Sequence, residues 1–342
     1  MAEAAGRQKR DWLMKLAWPV AGLVLLLLFN LLFTEGFFRI ETRAGHLYGS
    51  LIDILNHGAK VMLLSLGMTL VIATGGVDLS VGAVMAISGA VMAHLANAAG
   101  VPMPAIIAAA LGVSLLAGAW NGILVAVFRV QPIVATLILM VAGRGVAQLV
   151  TDGLIITFDQ PPLVFIGNGH LLGLPFPVMI VAVMLVAMGL LTRKTAVGLF
   201  IESVGDNETA SRYSGVSART VKFLVYVFSG LCAGLAGLVA ASNIKCADSN
   251  NAGLYLELDA ILAVVVGGTA LTGGRFYLIG AIVGALVIQT LTTTMYMRDV
   301  APDVAPVPKA LVIIAVYLLQ SETFRRKVLA PLRRLKRRGA AP

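Results

Sequence analysis

The chain has 342 residues, of which 58% are hydrophobic and only 13% charged. A soluble domain carries about 25% charged residues, so composition excludes a soluble one-core enzyme, a disordered chain and a disulfide scaffold. The net charge of +9 is no nucleic-acid footprint: eight basic residues lie at 325–338 and four at 7–15, flanking the last and first apolar runs. Basic flanks of this kind mark the cytoplasmic ends of membrane helices. They also suit anionic headgroups, so membrane lipid is an expected partner and nucleic acid is not.

The apolar runs are continuous rather than alternating, which favours helices over barrel strands. They predict an all-α polytopic membrane protein with about ten transmembrane helices, at 18–34, 54–73, 81–99, 105–128, 132–151, 175–192, 222–241, 259–273, 276–296 and 307–321. A cytoplasmic N-terminal tail would occupy 1–17, the transmembrane domain 18–321, and a basic cytoplasmic tail 322–342. The first run has a basic front like a signal peptide, but its apolar stretch is long. Thr34-Glu35-Gly36-Phe37 offers no small-x-small cleavage site, so an uncleaved helix is expected. Ten spans leave both termini cytoplasmic. They also put Arg129 and Arg275 in cytoplasmic turns, and Arg193, Lys194, Arg212, Arg219 and Lys222 in a cytoplasmic segment at 193–222.

Three glycine pairs four residues apart, Gly118 with Gly122, Gly230 with Gly234 and Gly280 with Gly284, fit close helix packing within the chain or between subunits. Gly82, Ala86 and Ala90 form a similar ridge. Two glycine-rich breaks separate successive runs. One, at 74–80, contains Gly75, Gly76, Asp78 and Ser80; the other, at 267–275, contains Gly267 and Gly268. Glycine permits the turn conformations needed there, and Asp78 and Ser80 are suited to cap the third span. Irregular backbone at membrane depth survives only against protein or water. Each break is therefore a cytoplasmic turn or a broken helix beside a pathway.

Ionisable residues inside spans are costly and point to function. Arg144, near the middle of the fifth run, needs a carboxylate, backbone carbonyls or water. Lys60 lies within snorkelling reach of the outer interface, and Asp259 reads as a helix-start charge. Asn56, Asn121, Gln131, Thr136, Gln148 and Gln289 suit a path for a polar, uncharged solute. Trp120 offers an aromatic face to a sugar or bulk to lipid. The residues selected for the pathway or its gating are Gly75, Gly76, Asp78, Ser80, Asn121, Gln131, Thr136, Arg144, Gly267 and Gly268. Cys232 and Cys246 read as a small hydrophobe and an incidental thiol.

The chain lacks the G-x-x-x-x-G-K-[ST] phosphate loop, a metal-ligand cluster and a credible nucleophile set. Neither an enzyme nor a cofactor or metal site is expected. Paired intramembrane carboxylates, the mark of an ion-coupled secondary transporter, are also missing. That transporter of a polar solute is one alternative, and a scaffold subunit without flux is another.

Between the sixth and seventh runs, residues 207–213 read as a short helix closed by Ser214-Gly215. This segment resembles the coupling segment of permease subunits from bacterial ABC sugar importers of the ribose/xylose/galactose branch, G-x-N-x-x-A-A-x-x-S-G-[IV]. It matches at Gly205, Asn207, Ala210, Ser214, Gly215 and Val216, with Ser211 in place of the second alanine. Three further hallmarks match at 74–82, 131–137 and 266–275, and the likeness runs from about residue 50 onward. Stretches 50–55, 135–149 and 248–261 are most similar to galactofuranose importer permeases. The resemblance implies inner-membrane location, alternating access, cytoplasmic ATPase subunits, a periplasmic sugar-binding protein and a second permease subunit, identical or different. It places Glu202, Gly205, Asn207, Glu208, Ala210, Arg212, Ser214 and Gly215 at the ATPase contact.

Overall fold

The computed structural model describes residues 2–43, 46–301, 304 and 306–320; the expected tail at 322–342 lies outside them. The chain opens with α1 (Ala2–Phe33), the hairpin β1 (Glu41–Arg43) and β2 (His46–Tyr48), then α2 (Ser50–Ala73), α3 (Val81–Ala96), α4 (Met103–Ala126) and α5 (Pro132–Thr151). It continues with β3 (Ile156–Thr157), α6 (Pro161–Asn168), β4 (His170–Leu171), β5 (Leu174–Pro175), α7 (Phe176–Lys194), α8 (Val197–Asp206) and α9 (Glu208–Tyr213). The last elements are α10 (Ala218–Ile244), β6 (Cys246–Ala247), α11 (Leu256–Val266), α12 (Leu278–Met297) and α13 (Pro306–Gln320).

Each apolar run coincides with one helix. Seven helices, α1, α2, α4, α5, α7, α10 and α12, are long and apolar enough to cross a membrane. The other three are shorter: α3 has 16 residues, α11 has 11 and α13 has 15. At 1.5 Å per residue α11 reaches about 16 Å, roughly half a hydrocarbon core. The expected run at 259–273 is therefore a half-helix followed by irregular backbone, because glycines end it at 267. Helix α1 is continuous from Ala2, so the expected boundary at 17 is no break in secondary structure.

Helix α2 forms the centre. Every residue from Gly58 to Ala73 except Lys60 is buried, and α2 packs against α7, α10, α11 and α12. Helix α10 packs in turn against α3 and α4. Small residues set these approaches. A Cβ on Gly230 would stand 2.4 Å from the Ser114 carbonyl oxygen, and one on Gly118 2.5 Å from that of Tyr226. A Cβ on Gly284 would stand 2.0 Å from the Ala263 oxygen. All three glycine pairs thus serve contacts within the chain, α4 on α10 and α11 on α12. On the outer layer, α1 holds α12 through buried Asn30, whose amide donates to Thr294 Oγ1 at 2.8 Å.

Backbone contact at Gly230 leaves no side chain to yield. Gly230→Val is expected to destabilise the protein by about 1–3 kcal/mol through overpacking. Gly112→Ala, where an added Cβ meets nothing within 4 Å, should leave it unchanged or slightly more stable. The melting temperatures of the two purified variants in detergent check this.

Candidate functional site

Helix α2 ends because Gly75 adopts φ +78°. The N–H of Gly75 then bonds Ile72 O at 2.9 Å and that of Gly76 bonds Val71 O at 3.1 Å, the two bonds of a Schellman stop. The chain then turns back into the protein instead of leaving it. Asp78 and Ser80 are each 1% exposed. Asp78 Oδ1 accepts from the Ser80 N–H at 3.0 Å and the Ser80 hydroxyl at 2.6 Å. Its Oδ2 accepts from Ser229 Oγ of α10 at 2.8 Å. Asn121 of α4 donates from Nδ2 to Ser80 Oγ at 2.8 Å and, more weakly, to Asp78 Oδ1 at 3.5 Å. The Val77 carbonyl accepts from Thr136 Oγ1 of α5 at 3.3 Å and from the Tyr226 hydroxyl at 3.5 Å.

The expected cap is thus corrected. Ser80 stands at the N-cap of α3, yet its side chain makes no cap bond, because the hydroxyl is committed to Asp78 and Asn121. Gly76 belongs to the same knot: a Cβ there would stand 2.6 Å from the Tyr226 hydroxyl. Ser229 and Tyr226 escaped sequence reading, since both sit in an apolar helix where nothing marks their direction.

At the opposite end, residues 248–255 run irregularly from β6 to α11, with Ser249 and Gly253 buried. Arg144 Nη1 donates to the carbonyls of Ser249, at 3.2 Å, and Ala252, at 2.5 Å. Of the partners open to Arg144, the structure shows backbone carbonyls. Gln148 Nε2 reaches Asn250 Oδ1 at 2.7 Å, and Thr151 Oγ1 lies 2.7 Å from Ser249 Oγ. Asp248 Oδ1 gathers the N–H groups of Asn250 and Asn251, both at 3.1 Å. The segment then meets α3: a Cβ on Gly82 would lie 2.4 Å from Gly253 O and 2.5 Å from Glu257 Oε2. The two irregular segments therefore flank the first turn of α3 on either side. Asp259, in the first turn of α11, pairs with Lys309 of α13 at 2.9 Å.

The third part is the 193–222 segment. Helix α9 is capped by Asn207, whose Oδ1 accepts from the Ala210 N–H at 2.9 Å. It is closed by Gly215 at φ +84°, with Gly215 N bonding Arg212 O and Val216 N bonding Ser211 O. Ser214 Oγ returns to Ala210 O at 3.1 Å. Glu208 binds Lys222 at 2.6 Å. Ala210, Arg212 and Ser214 are exposed, Glu202 is half-buried, and Tyr213 is 84% exposed beside them. Gly205 points inward. A Cβ there would lie 1.8 Å from Ala73 O and 2.5 Å from Gly274 N, and Gly274 N itself bonds Ala73 O at 2.9 Å. Helix α8, which no sequence pattern had revealed, thus seats its last turn on the end of α2 and on the 267–275 break.

Of the residues selected for a pathway, Gly76, Asp78, Ser80, Asn121 and Thr136 come together. Gly75 and Gly268 stop α2 and α11 by the same turn geometry. Gly267 packs α11 on α12, its added Cβ falling 2.4 Å from Gly280 C. Gln131 lies apart, exposed in a groove of about 740 Å³ with Arg129, Arg212, Arg219 and Lys222. Trp120 is exposed on α4 and directed out of the bundle.

Removing the Asp78 carboxylate strands its buried donors, each worth about 1–3 kcal/mol. Asp78→Ala and Ser229→Ala should therefore be strongly non-additive, with a coupling of about 0.5–3 kcal/mol. A double-mutant cycle on unfolding in detergent reads this.

A family profile described as the permease component of the branched-chain amino acid transport system matches residues 50–318. The galactofuranose transporter permease of Escherichia coli is 53% identical over 312 residues, covering 90% of this chain and 91% of that protein. The fructose import permease of Bifidobacterium longum is 38% identical over 94% of this chain and 93% of its own length. The ribose import permease of Escherichia coli is 36% identical over 92% and 95% respectively. No solved structure matches.

Proposed function

The chain belongs to the family of branched-chain amino acid transport system permease components, and from that premise we propose that it is the membrane-spanning subunit of an ATP-driven bacterial importer for a monosaccharide. One observation carries the substrate class. The family description names amino acids, but the galactofuranose, fructose and ribose permeases it resembles all carry sugars and align along nearly their whole length. Galactofuranose, named by the relative with 53% identity, is the specific substrate proposed.

The chain is a permease and not an enzyme. ATP is hydrolysed on separate cytoplasmic subunits, and a binding protein delivers the sugar from outside. In this reading the protein resides in the inner membrane with both termini cytoplasmic. Ten helices cross or enter the bilayer, seven at full length and α3, α11 and α13 in part. It functions beside a second permease, identical or homologous, and its basic flanks meet lipid headgroups.

Glu202, Gly205, Asn207, Glu208, Ala210, Arg212, Ser214 and Gly215 form the proposed ATPase contact. Two features of α9 support this. Its exposed face is held at both ends by its own caps, so it can press on a partner without unravelling. Its foundation, Gly205 on Ala73 and Gly274, is backbone on backbone, so displacement of α8 is felt by α2 and by the 267–275 break. A ligand shifts a conformational equilibrium only through its differential affinity for the two states. ATP bound to the partner acts on this chain only through such a contact.

Gly205→Ala places a methyl group on a carbonyl oxygen, and Gly215→Pro forces φ to about −65° where +84° is needed. Each should lower uptake of radiolabelled galactose, fructose or ribose by at least about tenfold, or about 1.4 kcal/mol, with unchanged amounts of the protein in the membrane. Normal uptake by both variants would remove the coupling assignment.

A further inference from the structure

Lys60 interrupts the buried face of α2. It lines a partly open cavity of about 280 Å³ between α2, α3, α10 and the 246–255 segment, whose rim includes the exposed Ile244 and Leu254. Its ammonium makes no hydrogen bond and no ion pair with any described residue. A cation within a span marks a functional site unless it finds a partner. Asp248 and Asn251 line the same cavity, and Cys246 stands at its wall. The remaining surface is aliphatic or backbone, including Met85, Ala240 and Leu254. At about 30 Å³ per liquid water, the volume equals that of roughly nine waters, far more than a single structural water needs. It falls just below the roughly 300–1,000 Å³ range of small-molecule sites.

We propose that this cavity binds one neutral monosaccharide during translocation, Lys60 donating to one ring hydroxyl and Asp248 accepting from another while the aliphatic wall covers the C–H face. The charges match a polyol. A cationic or anionic solute would meet a like charge at one end, whereas a hydroxyl satisfies both. The volume suits a single ring. The choice of sugar as ligand class rests on the permease function proposed above.

The chain carries its own reporter. Cys246 lines the cavity, while Cys232 is fully buried. Burial and the neighbouring Asp248 push the Cys246 thiol up from its ordinary range, so alkylation is slow and its rate responds to whatever covers the sulfur. The transporter is purified with its associated subunits and alkylated with N-ethylmaleimide. Modification of the Cys246 peptide is followed by mass spectrometry with and without methyl galactofuranoside, fructose or ribose.

At about ten times Kd, one of these sugars should slow labelling roughly tenfold, following 1 + [L]/Kd. Lys60→Met should abolish that protection. Labelling of Cys232 would reveal a misfolded variant, in which case Asp248→Asn, which retains the oxygen that gathers the loop N–H groups, takes its place. Equal labelling with and without every sugar overturns the site, as does protection that persists in a folded Lys60→Met or Asp248→Asn protein. ATP-driven uptake measured on the same preparation tests the permease reading separately. Uptake without protection removes the cavity alone, and protection without uptake removes the importer reading and leaves the cavity standing.

Discussion

The Asp78 carboxylate accepts four hydrogen bonds inside the bundle, from the N–H and hydroxyl of Ser80, from Ser229 and from Asn121. Its donors come from α10, from α4 and from the Ser80 turn that leads into α3, so one side chain fixes where α3 begins relative to both neighbours. Irregular backbone such as the 74–80 break needs its polar groups satisfied by protein or water. The Asp78 knot does this for the side chains, and Thr136 and Tyr226 do it for the Val77 carbonyl. A buried network of this kind costs much when partly broken and is rigid when complete. The short α3 depends on it, since its 16 residues begin inside the protein rather than at a water boundary.

The same constraint explains the other irregular segment. Residues 248–255 lie at the opposite end; turn bonds satisfy the carbonyls of Asp248, Asn251, Gly253 and Tyr255, and Arg144 takes those of Ser249 and Ala252. Arg144 is thus no isolated charge. Its guanidinium holds two carbonyls of the loop that leads into the half-helix α11. Two interrupted elements approaching from opposite ends and meeting at one turn of α3 form an arrangement suited to a binding site in the interior of a membrane protein.

Much of this was legible in the residues. Apolar runs located the helices, and Gly215 and Asn207 marked the ends of α9. Asp78, Ser80, Asn121 and Thr136 were selected one by one as polar groups in apolar surroundings, and folding brought them together. Direction was not legible. Helix α2 is apolar on all sides, so a period of 3.6 has no polar face from which to orient Lys60. Ser229 reads as an ordinary helix serine that can bond its own preceding turn; its donation to Asp78 is a tertiary fact. The half-helix character of α11 was hidden because Gly267 and Gly268 could have continued a span, and only their contact with Gly280 and their turn geometry end it.

The Gly205 junction joins the two ends of this picture. Helix α8 rests on Ala73, the last residue of α2, and Ala73 O also holds Gly274. Along α2 from that point, the chain leads in one direction into the Asp78 knot and in the other, three and a half turns back, to Lys60. Because the junction is formed by backbone atoms, it contains no rotamers that could absorb a push, and packed interiors respond to displacement by switching between discrete arrangements rather than by yielding. Helix α2 therefore links the α8 junction at Ala73 with the position of Lys60 through one continuous, largely buried helix. The junction positions are glycines because a side chain at Gly205 or Gly273 would force the elements apart.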